Sequence, residues 1–589
     1  LPDVNWVVRQ SWFCENRTHV RTLDGPPDAV VGSSASLPIR HIRGFLPTMR
    51  RRPLARPGIA ATAIALGLLA GPAGAQAQTF TVTNTSDSGV TGDGSLRGEV
   101  LAANVNPGPD VIDFAGGVTG TITLSGDGLQ IKDPLDLEGP GPGQITVAQS
   151  SAKRVIHLNM NSPGPVTIAG LHVANGTAEG PGGNIWNDSE HPASSLTIVN
   201  SLITGGTASD YGGGISCFGA SLVLHSTTLS GNHAIAGGGA WVGGGEEDHV
   251  AIAIENSTFS GNTASGFGGG LFVEIEDGSA LISGTTFSGN QAKSSGGAAV
   301  TLSEGPVTIA ASTFFGNTAT AGGGGGLSLS SDDQPIAVRD STISGNHSNG
   351  STGKGGGIDA PPSHPARLEN TIVAGNSADG GGADLAGPIE AAFSLVGNPS
   401  GATLTETVAG SDMISFDPQL GPLQNNGGPT ETMAIPATSP AVNRGSSGLG
   451  ADQRGQPRPV LYPGVPISAA PGANGADIGA YELQAPPLPS NAFRFGKVKL
   501  NKKKGTATVA IVVPGPGVVS LVGSKKVKKG SKTVKGAGTV KLLLKAKGKA
   551  LRSLNRNGKV KLKAKFTFAP TGGTPASKTK TLKLVKKRP

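Results

Sequence analysis

The chain is 589 residues long, with 93 glycines, 42 prolines, 4% aromatic residues and only two cysteines, Cys14 and Cys217. That length exceeds one ordinary domain, and two cysteines exclude a disulfide framework. Residues 491–589 carry 24 Lys, 4 Arg and no Asp or Glu, a formal +28, whereas residues 76–490 hold 11 Lys plus Arg against 36 acids, a formal −25; such asymmetry marks an interaction domain.

From Met49 the chain reads MRRRPLARPGIAATAIALGLLAGPAGAQAQ: an arginine-rich start, an apolar stretch over 59–70, and small residues suited to cleavage after Ala75 or Ala77. The pattern predicts a signal peptide over 49–77, a mature chain beginning at Gln76 or Gln78, and a secreted or cell-surface location. Signal segments normally begin a chain, so residues 1–48 read as upstream sequence translated in error, with an extended leader as the alternative. No other stretch reaches the ~18 apolar residues of a membrane span.

Residues 78–130 are expected to form an N-terminal cap and the first coils of a solenoid. Ser95 is placed to cap a short helix over Leu96, Val100 and Leu101, which would cover an open first coil. Over residues 131–400 the stretch STFSGNTASGFGGGLFV, at 257–273, recurs in looser copies such as STTLSGNHAIAGGGAWV and NTIVAGNSADGGGADL. Asn232, Asn262, Asn290, Asn317, Asn346 and Asn376 recur at spacings of 30, 28, 27, 29 and 30. Within a unit the apolar positions alternate, as in Leu271 and Val273 against Phe272, which is strand periodicity. Glycine triplets exclude a helical repeat at roughly 1 kcal/mol per Gly.

Stacking such units ~4.8 Å apart predicts an inner column of Leu229, Phe259, Phe287, Phe314, Ile343 and Ile372. A second column, of asparagines, is expected at a turn, bonded to the coils above and below. The glycines would form the corner before the next strand, where a positive φ or close backbone approach admits little else. About ten coils would make a rod ~50 Å long. The FSGN units paired with GGGL, GGGI and GGAA resemble the repeats of polymorphic outer-membrane proteins. The resemblance implies an all-β, right-handed parallel β-helix of the pectin-lyase-like kind over roughly residues 165–390.

Two flanking segments carry further resemblances. Residues 92–124, beginning GDGSLRGEVLAANVNPG, are similar to the CSLREA-type N-terminal region of bacterial β-helix surface proteins. Gly94 stands where that family often has Cys. Residues 417–482, from DPQLGPLQNNGGPTETMAIP to ADIGAYE, resemble the choice-of-anchor Q domain, whose members are exported surface proteins. This segment, within a C-terminal cap over 401–484, offers Asp452, Arg454 and Glu482 as a candidate buried ionic cluster.

After a linker at 485–490, residues 491–589 alternate charge and apolarity. In GKVKLKAKFTF, Lys559, Lys561, Lys563 and Lys565 point one way and Val560, Leu562, Ala564 and Phe566 the other. Six or seven such strands predict a small antiparallel β-sandwich, similar to the lysine-rich β-domains that end some actinobacterial secreted proteins. Those four lysines are the candidate polyanion-binding residues, with cell-envelope polyanions or polysaccharides as partners. The alternative is that they serve solubility and block edge pairing. Nucleic acid is not expected, because Phe493, Phe495, Phe566 and Phe568 are read as core and leave no stacking aromatics.

Two positions beyond each glycine group the side chain should face outward, a column running Ser216, Trp241, Phe272, Ala299, Ser328, Asp359 and Asp384. Trp241 and Phe272 would make an exposed aromatic pair for a sugar ring. Asp359 and Asp384, one coil apart, would suit a retaining glycosidase at ~5 Å or share a Ca²⁺, the one cofactor considered. No pectate-lyase or polygalacturonase signature is present. The reading is therefore a monomeric display or adhesion scaffold that binds polysaccharide, with a polysaccharide lyase or hydrolase as runner-up. Cys217 is read as a small buried hydrophobe.

Overall fold

The computed structural model describes residues 77–189, 194–245, 247–332, 334–360, 362 and 364–587. The expected upstream segment, the signal peptide through residue 76 and Cys14 lie outside the described residues. The described chain is a parallel β-helix of about 11 turns followed by antiparallel sheets, the fold class read from the repeats.

One turn shows how the sequence makes the coil. Val250–Glu255 forms one wall, Asn256 turns the corner at φ 51°, and Thr258–Ser260 forms the second wall. Asn262 and the short strand Thr263–Ala264 follow, and a glycine corner leads into Leu271–Ser283. Each strand pairs in parallel with its counterparts one repeat away: Phe259 lies beside Leu229 and Phe287, and Phe314 beside Phe287 and Ile343. The three phenylalanine rings stack at 4.7 and 4.6 Å between centroids and are fully buried. The column continues through Val373, not the expected Ile372, because Val373 is the residue three before Asn376 and is the partner of Ile343. Ile372 faces out of the coil and packs with Ile435, Ala441, Val442 and Ile478.

The asparagines form the expected ladder. The backbone N–H and Nδ2 of Asn262 both donate to Oδ1 of Asn290, at 3.0 and 2.9 Å, and Nδ2 also donates to the Leu229 carbonyl at 3.0 Å. The same arrangement links Asn232 through Asn376, so the buried amides are satisfied, as burial requires. A second ladder runs beside the first. The backbone N–H groups of Thr227, Ser257, Thr285, Ser312, Ser341 and Thr371 each donate to the hydroxyl of the equivalent Ser or Thr one coil on.

The glycine corner has two separable causes, seen at 268–270. Gly268 sits at φ +61°, where a side chain is strained. A Cβ on Gly269 would stand 2.5 Å from the carbonyl oxygens of Gln291 and Gly296. One on Gly270 would stand 2.6 Å from the Gly297 carbonyl oxygen, with the Phe287 ring at 3.1 Å and the Asn290 side chain at 3.2 Å. The second and third glycines therefore let the backbone of the next coil approach closely.

The ends follow from the same chemistry. Ser95 Oγ accepts from the N–H of Gly98 at 3.1 Å and caps the helix Leu96–Ala103. Leu96, Val100 and Ala103 enter the coil core, while Leu101, expected inward, is 37% exposed. Residues 417–482 lie along the flank of internal coils, where a closing cap was expected. Gln453 Nε2 donates to the Thr286 hydroxyl at 2.9 Å, Gln453 Oε1 accepts from Thr313 at 2.6 Å, and the Ala480 N–H reaches the Thr342 hydroxyl at 3.0 Å. The expected ionic cluster is present and larger: Arg454 pairs with Asp452 at 2.6 Å, and the fully buried Arg458 pairs with Glu482 at 2.8 Å and with the coil residue Asp340 at 3.1 Å. Beside them burial, and then the neighbouring Glu482, push the Asp477 carboxyl up to about 7.

The basic domain is a sandwich of seven antiparallel strands in sheets of three and four around its own core, which includes Phe493, Phe566 and Phe568. It also holds a helix, Gly548–Asn557, that the strand pattern hid. Ala550 and Leu554 fall on its buried face and Gly558 ends it at φ 68°. Among the described residues no helix is long and apolar enough to cross a membrane.

Candidate functional site

The outward column on the wall after the glycine corner is continuous. Register places Trp186, Ser216, Trp241, Phe272, Ala299, Ser328 and Asp359 on successive coils. Trp241 and Phe272 are therefore neighbours as expected, but they are not exposed: they retain 7% and 9% of their accessible surface. Large apolar rings on the outside of a sheet cover one another, and aromatic neighbours fold over them. Tyr211 stacks on Trp241 at 4.6 Å, Phe218 lies parallel to it at 6.1 Å, and Phe267 stacks on Phe272 at 5.8 Å. The rings that do face solvent are Phe218 and Phe267, at 51% and 45% exposure. Tyr211 and Phe267 each directly precede a glycine corner, as YGGG and FGGG, which was the signal available in the sequence.

Asp359 and Asp384 do not form a pair. The register partner of Asp359 is Ala386, and the Asp359 carboxylate leans back over Gly323 in the preceding coil. Burial pushes its carboxyl up to about 6, against the opposing influence of Lys354. Asp384 instead ends the asparagine ladder. Its Oδ1 accepts the backbone N–H and Nδ2 of Asn376 at 2.9 and 2.8 Å, and its Oδ2 accepts the Asn398 N–H at 2.6 Å. The carboxylate geometry of a retaining glycosidase, or of a shared Ca²⁺, is thus absent at these two residues, and no group of three or more His, Cys, Asp or Glu residues is placed to hold a metal among the described residues.

The structural reason for Asp384 lies in the ladder itself. It occupies the strand-leading position held by Gly270 and its equivalents, and a Cβ on the opposing Gly397 would stand 2.8 Å from its Oδ2. At the other end Asn184 plays the same part, donating from Nδ2 to Oδ1 of Asn232 at 3.3 Å, opposite Gly206. Where the strand-leading residue is polar, the position its side chain reaches is a glycine, which leaves it the room. The Ser/Thr ladder ends likewise on Asp412, whose Oδ1 accepts the Ser394 N–H at 2.8 Å.

In the basic domain Lys559, Lys561, Lys563 and Lys565 are exposed on one face of the strand Lys559–Pro570, with Leu562, Ala564 and Phe566 buried on the other. Lys583 faces Lys561 across the adjacent strand, so the face holds like charges side by side. Cys217 is fully buried with its thiol pushed up to about 12 by burial, which leaves it unreactive.

A family model of the Chlamydia polymorphic membrane protein repeat matches residues 256–274. That span runs from corner Asn256 through the Phe259 strand, ladder Asn262 and the glycine corner into the next wall. Together the match and the solenoid define a polymorphic-membrane-protein-like β-helix. Comparison with curated proteins and with solved structures gave no match.

Proposed function

We propose that the protein is an exported, surface-displayed β-helix that acts as a rigid display and adhesion scaffold, binds polysaccharide along its flank, and is retained at the cell envelope by its basic C-terminal domain. The observation that carries this reading is the combination of a polymorphic-membrane-protein-type coil with a separately cored domain of formal charge +28 that contains no acidic residue. The leader pattern at 49–77 and the choice-of-anchor Q resemblance of residues 417–482 support export. Sugar contact is assigned to the solvent-facing Phe218 and Phe267 at the margin of the Trp241 and Phe272 cluster, since aromatic faces stack on sugar rings. The test is a glycan array on the full chain, read alongside release of reducing ends from retained glycans. Binding without new reducing ends is expected; new reducing ends would make it an enzyme, and no retained glycan would remove the adhesion reading.

A further inference from the structure

The two sheets of the basic domain meet at one corner and then part. Val527 bridges Ala546 in antiparallel fashion, the Lys528 N–H donates to the Lys545 carbonyl at 3.0 Å, and the Lys547 N–H donates to the Lys526 carbonyl at 2.9 Å. Beyond this corner Gly530–Val534 runs as the edge of the four-stranded sheet and Gly538–Leu544 as the edge of the three-stranded one. The gap between them is a concavity of about 470 Å³ lined by Lys528, Lys529, Lys532, Lys541 and Lys545, with Leu543 among its lining residues. Its volume falls within the roughly 300–1,000 Å³ of ligand sites.

We infer that this groove binds a linear phosphodiester polyanion of the polyol-phosphate kind, and that it, more than the Lys559 face, provides the envelope retention proposed above, on which the inference rests. The five lysines are exposed, and the domain contains no Asp or Glu to neutralise them. A concave surface of one charge focuses its field on an incoming counter-charge. The charge is also extended. Lys528 and Lys532 on one side, and Lys541 and Lys545 on the other, are each four residues apart, about 13 Å along extended chain. One small anion does not span that distance; a chain of anions does. Lysines offer point charges without the planar fork that selects a rigid anion, which suits a flexible polymer. Leu543, 47% exposed between Lys541 and Lys545, gives an aliphatic contact for carbon atoms between phosphates. No aromatic residue lines the groove, so nucleobases lack a stacking partner, and a planar membrane meets the flat Lys559 face more readily than a concavity.

The test titrates the full chain with a soluble poly(glycerol phosphate) oligomer, and in parallel with a single-stranded oligonucleotide and with anionic phospholipid vesicles. Changing Lys528, Lys532, Lys541 and Lys545 together to Gln should weaken oligomer binding at least ~30-fold near about 50 mM salt and flatten the log–log salt slope by roughly 3. Changing Lys559, Lys561, Lys563 and Lys565 to Gln should weaken it less than ~3-fold. Circular dichroism checks folding, and the milder Lys541→Gln, Lys545→Gln pair, expected to lose roughly 5-fold, serves if the larger set does not fold. Equal losses from the two sets, or tighter binding of vesicles or oligonucleotide than of the oligomer, would overturn the groove while leaving retention by the domain intact. If the parent binds none of the three ligands, groove and retention fall together.

Discussion

At the scale of single residues, the coil depends on positions that repeat. Phe287 touches rings above and below and has no exposed surface, so Phe287→Asp leaves an unpaired charge in the column and should cost at least about 4 kcal/mol in denaturant unfolding. A loss under about 1 kcal/mol would mean the column is not the core. The ladder ends make a pH-dependent case. Burial, and then the neighbouring Glu406, push the Asp412 carboxyl up to about 6 from the usual 3.8. A carboxyl raised in the folded state binds its proton more tightly there, so its contribution to stability is full below 3.8 and is lost as pH rises through 6. Asp412→Asn keeps an oxygen for the Ser394 N–H and does not titrate. Its stability relative to the parent should therefore improve between pH 4 and 8 by about 1 kcal/mol, allowing for partial exposure; a gap that stays constant with pH would contradict this. The inner phenylalanines and the asparagine ladder were legible because they recur with apolar or amide identity. Ile372 was misplaced by one residue because IV offers two apolar choices, and only the distance to Asn376 separates them. The burial of Trp241 was only partly legible: Tyr211 before its glycine corner was a signal, but Phe218 comes from a strand end with no repeated position to mark it.

At the scale of elements, register carries more than any one contact. Ser260 and Ser288 are partners in adjacent coils, so deleting residues 261–288 joins equivalent points of the repeat. The shortened protein should remain folded by circular dichroism and lose less stability than Phe287→Asp, as nearest-neighbour energetics of a solenoid require. An unfolded product would contradict the coil boundaries. Elements with a fixed side-chain period were readable: the coil strands, the Ser95-capped helix and the alternating lysine strands. The helix Gly548–Asn557 was hidden among lysine-rich strands, although Ala550 and Leu554 at helical spacing and Gly558 at its end were its signals. The flanking course of residues 417–482 had no periodic signal. It is set by scattered polar contacts from Gln453, Arg458 and Asn370, whose partners lie more than 100 residues away in sequence.

At the scale of the whole molecule, an acidic coil stack is joined to a basic sandwich with a core of its own. The coil's architecture followed from its repeats, whereas its ligand does not, because the outward column changes chemical character from coil to coil while the inner one stays apolar. In the proposed function the basic domain holds the protein at the envelope by charge. The most direct measurement is co-sedimentation of the full chain, and of a chain ending at Ser490, with isolated cell envelopes across a salt series. The full chain should sediment near about 50 mM salt and be released well below about 1 M, because neutralised charges release counterions, and the shortened chain should stay in the supernatant with its β-helix intact. Equal sedimentation of the two chains, or a full chain that resists molar salt, would mean that charge on the basic domain is not what retains the protein.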